Sequence, residues 1–575
     1  MWHLVTESKR FTITGVLAVA VALCICKLIR ADEPDRLPNT KLLTLEGDIA
    51  SQLVAGVDKF LLARNASSIE GRAQHWKRDV SSVDSYNKSI QPNRDRLKFI
   101  LGLRDTRVSF DSPEVVGTLN RTALVATEHD INITAIRWLA FGNVHGEGLL
   151  LMPKRRKPTA YVVAIPDCEM SPEQCAGLVA GVRVESQYAR RLAESGCCVV
   201  VPMLINRELR PKRLTNREWI YRSAYELGRG LIGYEVQKVL ACVDWFANQS
   251  GQSQSIGVIG WGEGGLIALY AGAVDPRIDA VCVSGYFNSR QELWQEPADR
   301  NVFGLLDEFG DAELATLIAP RWLIVEAARG PTAKFSGGIG APGRLATPEF
   351  ASVRAEVDRA NKLINGLQPS KPVELIVSDK DGNGPFATDR ALSSFLNALA
   401  PAAGLAPPSP PPNIGTYDRN PERHRRQLDE LERHNEWLIG EGEKVRNVWF
   451  WDKLKYDSLE SYKNSIEPFR KYFADEVIGR FDIEPLPASA RSRKVDANAQ
   501  WTRYEVVLDV YPDVIAYGLL TVPMGIKPGE RRPVVVCQHG LEGRPQDTIG
   551  EPSFAYYKAF STRLAEEGFI TFAPQ

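Results

Sequence analysis

A chain of 575 residues is too long for one ordinary hydrophobic core, and 44% hydrophobic with 25% charged residues is a normal globular balance; together they exclude a disordered protein and predict at least two domains. A formal net charge of -1 removes any electrostatic case for nucleic acid or an anionic membrane as partner. The basic runs KRRK at 154–157 and RHRR at 423–426 then read as solvated loop and helix faces.

Residues 1–31 have the pattern of a targeting segment: Lys9 and Arg10, the apolar stretch Val16 to Cys26, then Ala31 as a candidate cleavage point. The protein is expected to be exported, secreted or periplasmic. The apolar stretch is short for a span of about 20 residues, and an uncleaved N-terminal anchor is the alternative. A lipoprotein site is disfavoured because Leu23 and Ile25, not small residues, precede Cys24 and Cys26. The remaining cysteines, Cys168, Cys175, Cys197, Cys198, Cys242, Cys282 and Cys537, are an odd set and no disulfide scaffold. Cys168 and Cys175 are near enough to pair within one loop; most of the others sit in apolar runs, as small core residues do.

After an N-terminal helical region at 32–82, β-like and helical runs alternate. They are AYVVAIP, ESQYARRLAES, CCVVVPM, the long helical stretch from Arg217 to Phe246, SIGVIGWG, LIALYAGAV, IDAVCVSGY, PRWLIVEA, PVELIVSD and the closing helix RALSSFLNALA. Near-continuous apolar strands separated by helices predict a parallel sheet covered on both faces, an α/β, doubly wound fold. The proline-rich stretch within 399–416 predicts an extended semi-rigid linker. Beyond it the sequence repeats itself. SYNKSIQPNR from Ser85 returns as SYKNSIEPFR from Ser461 (461 − 85 = 376), EGLLLMP ending at Pro153 as YGLLTVP ending at Pro523 (523 − 153 = 370), and RLAESGCCVVVP from Arg191 as RLAEEGFITFAP from Arg563 (563 − 191 = 372). Three matches in one order predict a duplicated domain, with copy one at 83–398 and the N-terminal part of copy two at 417–575.

GWGEGG at 260–265 lies between an apolar strand and a helix. That is the setting of the nucleophile elbow G-x-S-x-G, with Gly262 where the serine belongs. On this layout, the elbow and the RLAE-x-G helix, the chain resembles the α/β-hydrolase superfamily, in particular its dienelactone hydrolase and acetyl xylan esterase branch. The resemblance implies a serine at the elbow, a histidine as base, an acid to orient it and two N–H donors for the oxyanion. Copy one lacks the serine, and no histidine occurs between His145 and His424, so the acid candidates Glu326, Asp379 and Asp381 are expected to be orphans. Losing nucleophile and base together costs roughly a million-fold in turnover. Copy one is therefore expected to be inactive.

Glu263 is expected to contribute its backbone N–H and turn geometry rather than its side chain. His145 and Glu147 alternate on a strand without an evident third ligand, which makes them ordinary strand positions and gives no metal. The rings Trp449, Phe450 and Trp451, with Trp76 similarly placed in copy one, are expected to pack the helical region against the core. His539 and Gly540, straight after PVVVCQ, resemble the His-Gly oxyanion loop of esterases, with His539 shaping the loop rather than acting as base. At an offset of 372 they align with Asp167 and Cys168.

The second elbow is expected near 634 (262 + 372) and the end of that copy near 770 (398 + 372), so the sequence reads as a fragment of a longer protein. Two functions remain open. One is an exported tandem carboxylic ester hydrolase, implied by the resemblance to act on small esters or acetylated carbohydrate, with catalysis in copy two. The other is a non-catalytic protein whose vestigial cleft at Asp167, Cys168, Gly262 and Glu263 has room for a ligand or a protein. No nucleotide, flavin or metal motif stands out, and no cofactor is expected.

Overall fold

The computed structural model describes residues 35–117, 122–128, 130–211, 214–250, 254–335, 342–369, 371–410, 421–550 and 553–575. The targeting segment expected at 1–31 lies outside them, as do residues 411–416 of the linker. The chain divides into two compact units, Asn65–Arg480, and the described part of Met1–Arg64 together with Phe481–Gln575. The boundary at 480/481 lies well past the proline-rich stretch.

The Asn65–Arg480 unit is built on a mixed sheet. Its main strands are β1 (Leu124–Glu128), β2 (Ile131–Phe141), β3 (Val144–Pro153), β4 (Tyr161–Ile165), β5 (Cys198–Pro202), β6 (Ile256–Trp261), β7 (Ala280–Ser284), β8 (Trp322–Ala327) and β9 (Glu374–Val377). Their order is β9-β8-β7-β6-β4-β5-β3-β2, with β1 paired to β2. Strands β4 to β9 run parallel, and β1 to β3 are antiparallel. This is the expected doubly wound, mostly parallel α/β sheet, and it is α/β-hydrolase-like.

Both faces are covered, which is why β4, β5 and β7 are buried at every position. On β4, Val163 and Ile165 enter one core with α1 (Val83–Ile100), while Val162 and Ala164 enter the other with α2 (Tyr188–Glu194). The insertion after β5 carries α3 (Asn216–Tyr225), and α4 (Leu231–Ser250), α5 (Glu263–Val274), α6 (Asp311–Ile318) and α7 (Phe350–Leu363) cover the first face. The closing helix α8 (Asp389–Leu399) covers the second. All seven cysteines from Cys168 on are free and buried, so Cys168 and Cys175 are not paired.

The described part of the proline-rich stretch is pinned to the unit rather than free. The Ala406 N–H donates to Ser195 Oγ at 2.9 Å, Arg191 Nη2 donates to the Ala406 carbonyl at 3.1 Å, and Arg190 donates to the Ser409 carbonyl.

Beyond it, α9 (Pro421–Trp449) and α10 (Leu459–Tyr472) belong to the same unit. Helix α9 is held by buried polar contacts that composition does not disclose. Arg423 pairs with Glu173 at 2.9 Å, Lys238 Nζ donates to Gln427 at 2.8 Å, and the Tyr234 hydroxyl donates to Asn435 at 2.6 Å. His424 Nε2 accepts the Asn206 N–H at 3.0 Å, which requires an unprotonated nitrogen. Burial, with help from the Lys238 charge, lowers His424 to about 4. The unfolded chain therefore takes up this proton first, below about 6.5. The stabilising contribution is complete above that pH and is lost as pH falls toward 4. A urea-midpoint profile from pH 7 to 4 is expected to fall less steeply in His424→Gln, which keeps an acceptor but does not titrate.

The second unit holds β10 (Arg491–Ala497), β11 (Trp501–Tyr511), β12 (Val514–Pro523), β13 (Val534–Val536) and β14 (Ile570–Pro574), in the order β10-β11-β12-β14-β13, with Lys41–Leu42 outside β10. Its hairpin pairs Trp501 with Pro523 and Tyr511 with Val514, with an irregularity between Asp509 and Tyr511. The β2–β3 hairpin pairs Ile131 with Pro153 and Phe141 with Val144, with its irregularity between Leu139 and Phe141. Each position differs by 370 (501 − 131, 523 − 153, 511 − 141, 514 − 144). Edge strand β13 leaves Val534 and Val536 61% and 64% exposed, an open apolar edge.

Candidate functional site

The elbow is present in backbone form. Strand β6 ends at Trp261, Gly262 adopts φ 59° and ψ -120°, and α5 starts at Glu263. That conformation explains a glycine at the centre, since L side chains rarely tolerate it. Gly264 has a second reason: a Cβ there would stand 2.0 Å from the Ile165 carbonyl oxygen, so α5 crosses β4 only without a side chain.

A Cβ at Gly262 would lie 2.5 Å from Pro331 Cγ and 2.6 Å from Asp167 Oδ2. The expectation of extra room at the elbow is therefore corrected: the loop after β8 and the loop after β4 already occupy the space.

Asp167 does more than fill. It is 2% exposed, its Oδ2 accepts the Glu263 N–H at 2.9 Å, and its Oδ1 accepts the Glu169 N–H at 3.0 Å. The first of these is the N–H following the nucleophile position, which in an active elbow faces the developing oxyanion. A carboxylate oxygen of the protein stands where that negative charge would form. The donor is satisfied and the hole is closed.

The Glu263 side chain, expected to be incidental, is the centre of a buried ion cluster and 0% exposed. Its Oε2 accepts Arg207 Nη2 at 2.9 Å and Arg300 Nη2 at 2.8 Å, and its Oε1 accepts Arg217 Nη2 at 3.1 Å. Asp299 accepts from Arg207 at 2.9 Å and Arg217 at 2.7 Å, and Glu235 accepts from Arg217 at 2.9 and 3.0 Å. Burial opposes ionisation of Glu263, but Arg207, Arg300 and Arg217 outweigh it and hold the carboxyl well below the usual range. A base or nucleophile so committed to three cations is a poor one. Cys168 Sγ accepts Arg207 Nη1 at 3.0 Å, and burial pushes its thiol well up, away from the reactive thiolate.

Sequence reading missed Arg207, Arg217, Arg300, Asp299 and Glu235. The available signal was the arginine-rich insertion after β5, where Thr215 and Glu218 form a capping box that starts α3 and sets Arg217 inward.

Glu326 is not an orphan. It is buried at the end of β8 and accepts from Ser284 Oγ at 2.5 Å, the Ala387 and Thr388 N–H groups at 2.7 and 2.8 Å, and Thr388 Oγ1 at 2.6 Å. Glu326, expected as an acid candidate, anchors the entry to α8. Asp379 and Asp381 lie exposed in the turn after β9, where Asp381 accepts the Asn383 N–H at 3.2 Å.

His145 Nδ1 lies 3.2 Å from Glu430, and Glu147 takes Arg426 through both oxygens at 3.0 and 2.7 Å, so α9 claims both. Among the described residues no group of three or more His, Cys, Asp or Glu is placed to hold a metal ion. Trp449 packs edge-on against Phe469 at 5.0 Å and Phe450 against Phe469 at 4.9 Å, joining α9 to α10, while Trp449 and Trp451 stay half exposed. Trp76 is buried against Phe309 at 5.6 Å.

In the second unit, Val534 pairs with Ile570 as Tyr161 pairs with Cys198. The offset along this strand is thus 373 (534 − 161), which moves His539 and Gly540 onto Pro166 and Asp167 instead of Asp167 and Cys168. At that offset Gly540, which has no side chain, aligns in sequence with Asp167. Its N–H donates to the Tyr557 hydroxyl at 2.8 Å, and His539 Nδ1 lies 2.7 Å from the Gly540 carbonyl oxygen.

Residues 176–313 match the model of the dienelactone hydrolase family. Among solved structures, the chain is similar to a putative acetyl xylan esterase from Bacteroides fragilis NCTC 9343, with 14% identity, TM-score 0.38 and coverage of 56% of this chain and 86% of the other. It is also similar to acetyl xylan esterase 1 from Thermoanaerobacterium sp. JW/SL YS485 (12% identity, TM-score 0.36, 57% and 96% covered) and to a glucuronoyl esterase from Solibacter usitatus (12%, 0.36, 56% and 94%). No curated protein matches the chain.

Proposed function

From an α/β-hydrolase-like unit matched in part to the dienelactone hydrolase family, we propose that the protein is an exported tandem carboxylic ester hydrolase whose Asn65–Arg480 unit is the non-catalytic member. Ester chemistry, on small esters or acetylated carbohydrate, belongs to the copy that carries His539 and Gly540. One observation carries the reading: Asp167 accepts the Glu263 N–H that an active site keeps for the oxyanion, next to an elbow without space for a side chain. Support for the duplication comes from the two hairpins with one pairing pattern, and from Gly540 opposite Asp167. The apolar edge at β13 is the side on which β4 pairs with its elbow strand β6.

A second reading, in which neither copy is catalytic, is favoured by the Tyr557 hydroxyl already bound to the Gly540 N–H. The 575-residue chain is expected to hydrolyse p-nitrophenyl acetate no faster than a buffer blank and to take up no fluorophosphonate label. A labelled serine within 65–480 would overturn the assignment of that unit. Sequencing the DNA beyond codon 575 separates the two alternatives: a G-x-S-x-G near 634 followed by an acid and a histidine supports the tandem esterase, and its lack supports the second.

A further inference from the structure

The end of α1, the loop Leu227–Gly230 between α3 and α4, the turn Asn301–Phe303 and the C-terminal end of α10 enclose a cavity of about 560 Å³. Small-molecule sites commonly measure roughly 300–1,000 Å³. Nothing in the elbow chemistry uses this one. Asp299 lines one wall, and its carboxylate is already committed to Arg207 and Arg217.

Five aromatic rings line it: Phe99, Tyr221, Tyr225, Phe303 and Tyr472. Tyr225 lies 5.9 Å from Tyr221 and 6.4 Å from Phe303, centroid to centroid, and Tyr225 and Phe303 keep 46% and 45% of their surface exposed. Among the described residues the phenol groups of Tyr221, Tyr225 and Tyr472 and the Glu226 carboxylate have no hydrogen-bond partner, and the Arg104 guanidinium, stacked on Phe99 at 4.4 Å, forms no ion pair. Burial raises Tyr221 to about 12, so its hydroxyl remains a neutral donor.

This combination narrows the ligand. One free cation and one free carboxylate favour neither a polyanion nor a polycation. A pure hydrocarbon would bury unpaired phenol groups, which is costly. A neutral ring compound with apolar C–H faces and hydroxyls around its rim satisfies both sets of groups, because the faces cover the aromatic rings while the hydroxyls pair with phenol, carboxylate and guanidinium.

We propose that this cavity is a carbohydrate-binding site for a short neutral oligosaccharide, separate from the closed elbow. It does not depend on whether either copy hydrolyses esters. Isothermal titration calorimetry of the full chain with cellotetraose, xylotetraose and chitotetraose tests it. At least one is expected to bind with Kd below about 1 mM, and Tyr225→Ala/Phe303→Ala is expected to weaken it by at least about tenfold with an unchanged urea midpoint. Glu226→Gln and Arg104→Met, both at exposed positions, are expected to weaken it as well, while Trp437→Ala on the exposed face of α9 leaves it unaltered. Lack of saturable binding of all three sugars, or wild-type affinity in both the aromatic and the polar variants, would overturn the site.

Discussion

Glu263→Ala is expected to cost about 3–5 kcal/mol of stability, the range for removing one partner of a buried ion pair and leaving its counter-charge uncompensated. Three guanidinium groups, Arg207, Arg217 and Arg300, are matched by three carboxylates, Glu263, Asp299 and Glu235, with side chains from 0 to 6% exposed. Arg300 depends most on Glu263, since its remaining carboxylate partner, Glu296, is the more exposed. Deleting the carboxylate therefore leaves a cation in the interior and removes the tie between α5, the insertion after β5 and the turn at Ala298–Arg300. Equilibrium urea unfolding checks the figure. Glu263→Gln, which keeps the shape and one acceptor, is expected to lose less than Glu263→Ala. A loss below about 1 kcal/mol for Glu263→Ala would mean that water reaches the arginines and that the cluster does not hold the elbow together.

The same cluster marks where sequence reading stops. The covered, doubly wound parallel sheet was legible because runs such as AYVVAIP are apolar on both faces and α5 is apolar all round. The sequence recurrence ending at Pro153 and Pro523 falls on two hairpins with one pairing pattern, and it was legible because a local pairing keeps its residues adjacent in sequence. Gly262 was legible because a positive φ leaves few alternatives. Arg207, Arg217, Asp299 and Arg300 have no common period, and their meeting at Glu263 is a product of chain crossing alone. Asp167 was marked as a departure from the His-Gly pattern, but its role needed the N–H directions of two separate loops. The unit boundary was misplaced because a proline-rich stretch marks weak local structure and says nothing about which core the next amphipathic helix will join. Arg423, Gln427, His424 and Asn435 settle that for α9 through single polar contacts.

Gly262→Ser is the substitution that would restore the nucleophile by sequence, and it is expected to destabilise the Asn65–Arg480 unit by about 2–4 kcal/mol without creating an esterase. Two costs combine. At φ 59° a side chain is strained whatever the space, and here its Cβ meets Pro331 Cγ at 2.5 Å and Asp167 Oδ2 at 2.6 Å. An active hydrolase accepts the strain because its elbow opens onto a cleft, whereas this elbow faces a proline ring and a carboxylate. Pairing the change with Pro331→Gly is expected to recover part of the loss, and adding Asp167→Gly to recover less, since that change also releases the Glu263 and Glu169 N–H groups that Asp167 satisfies. These are coupled sites in contact, so the three changes are not expected to add. Activity should stay at the blank in every combination, because Glu326 remains bound to Ser284, Ala387 and Thr388 with no imidazole to orient. Urea midpoints of the single, double and triple variants, read beside p-nitrophenyl acetate rates, separate steric closure of the elbow from the missing base. If Gly262→Ser proved as stable as wild type, Pro331 and Asp167 would have to yield readily, and the cleft would be a closed but mobile one rather than a filled one.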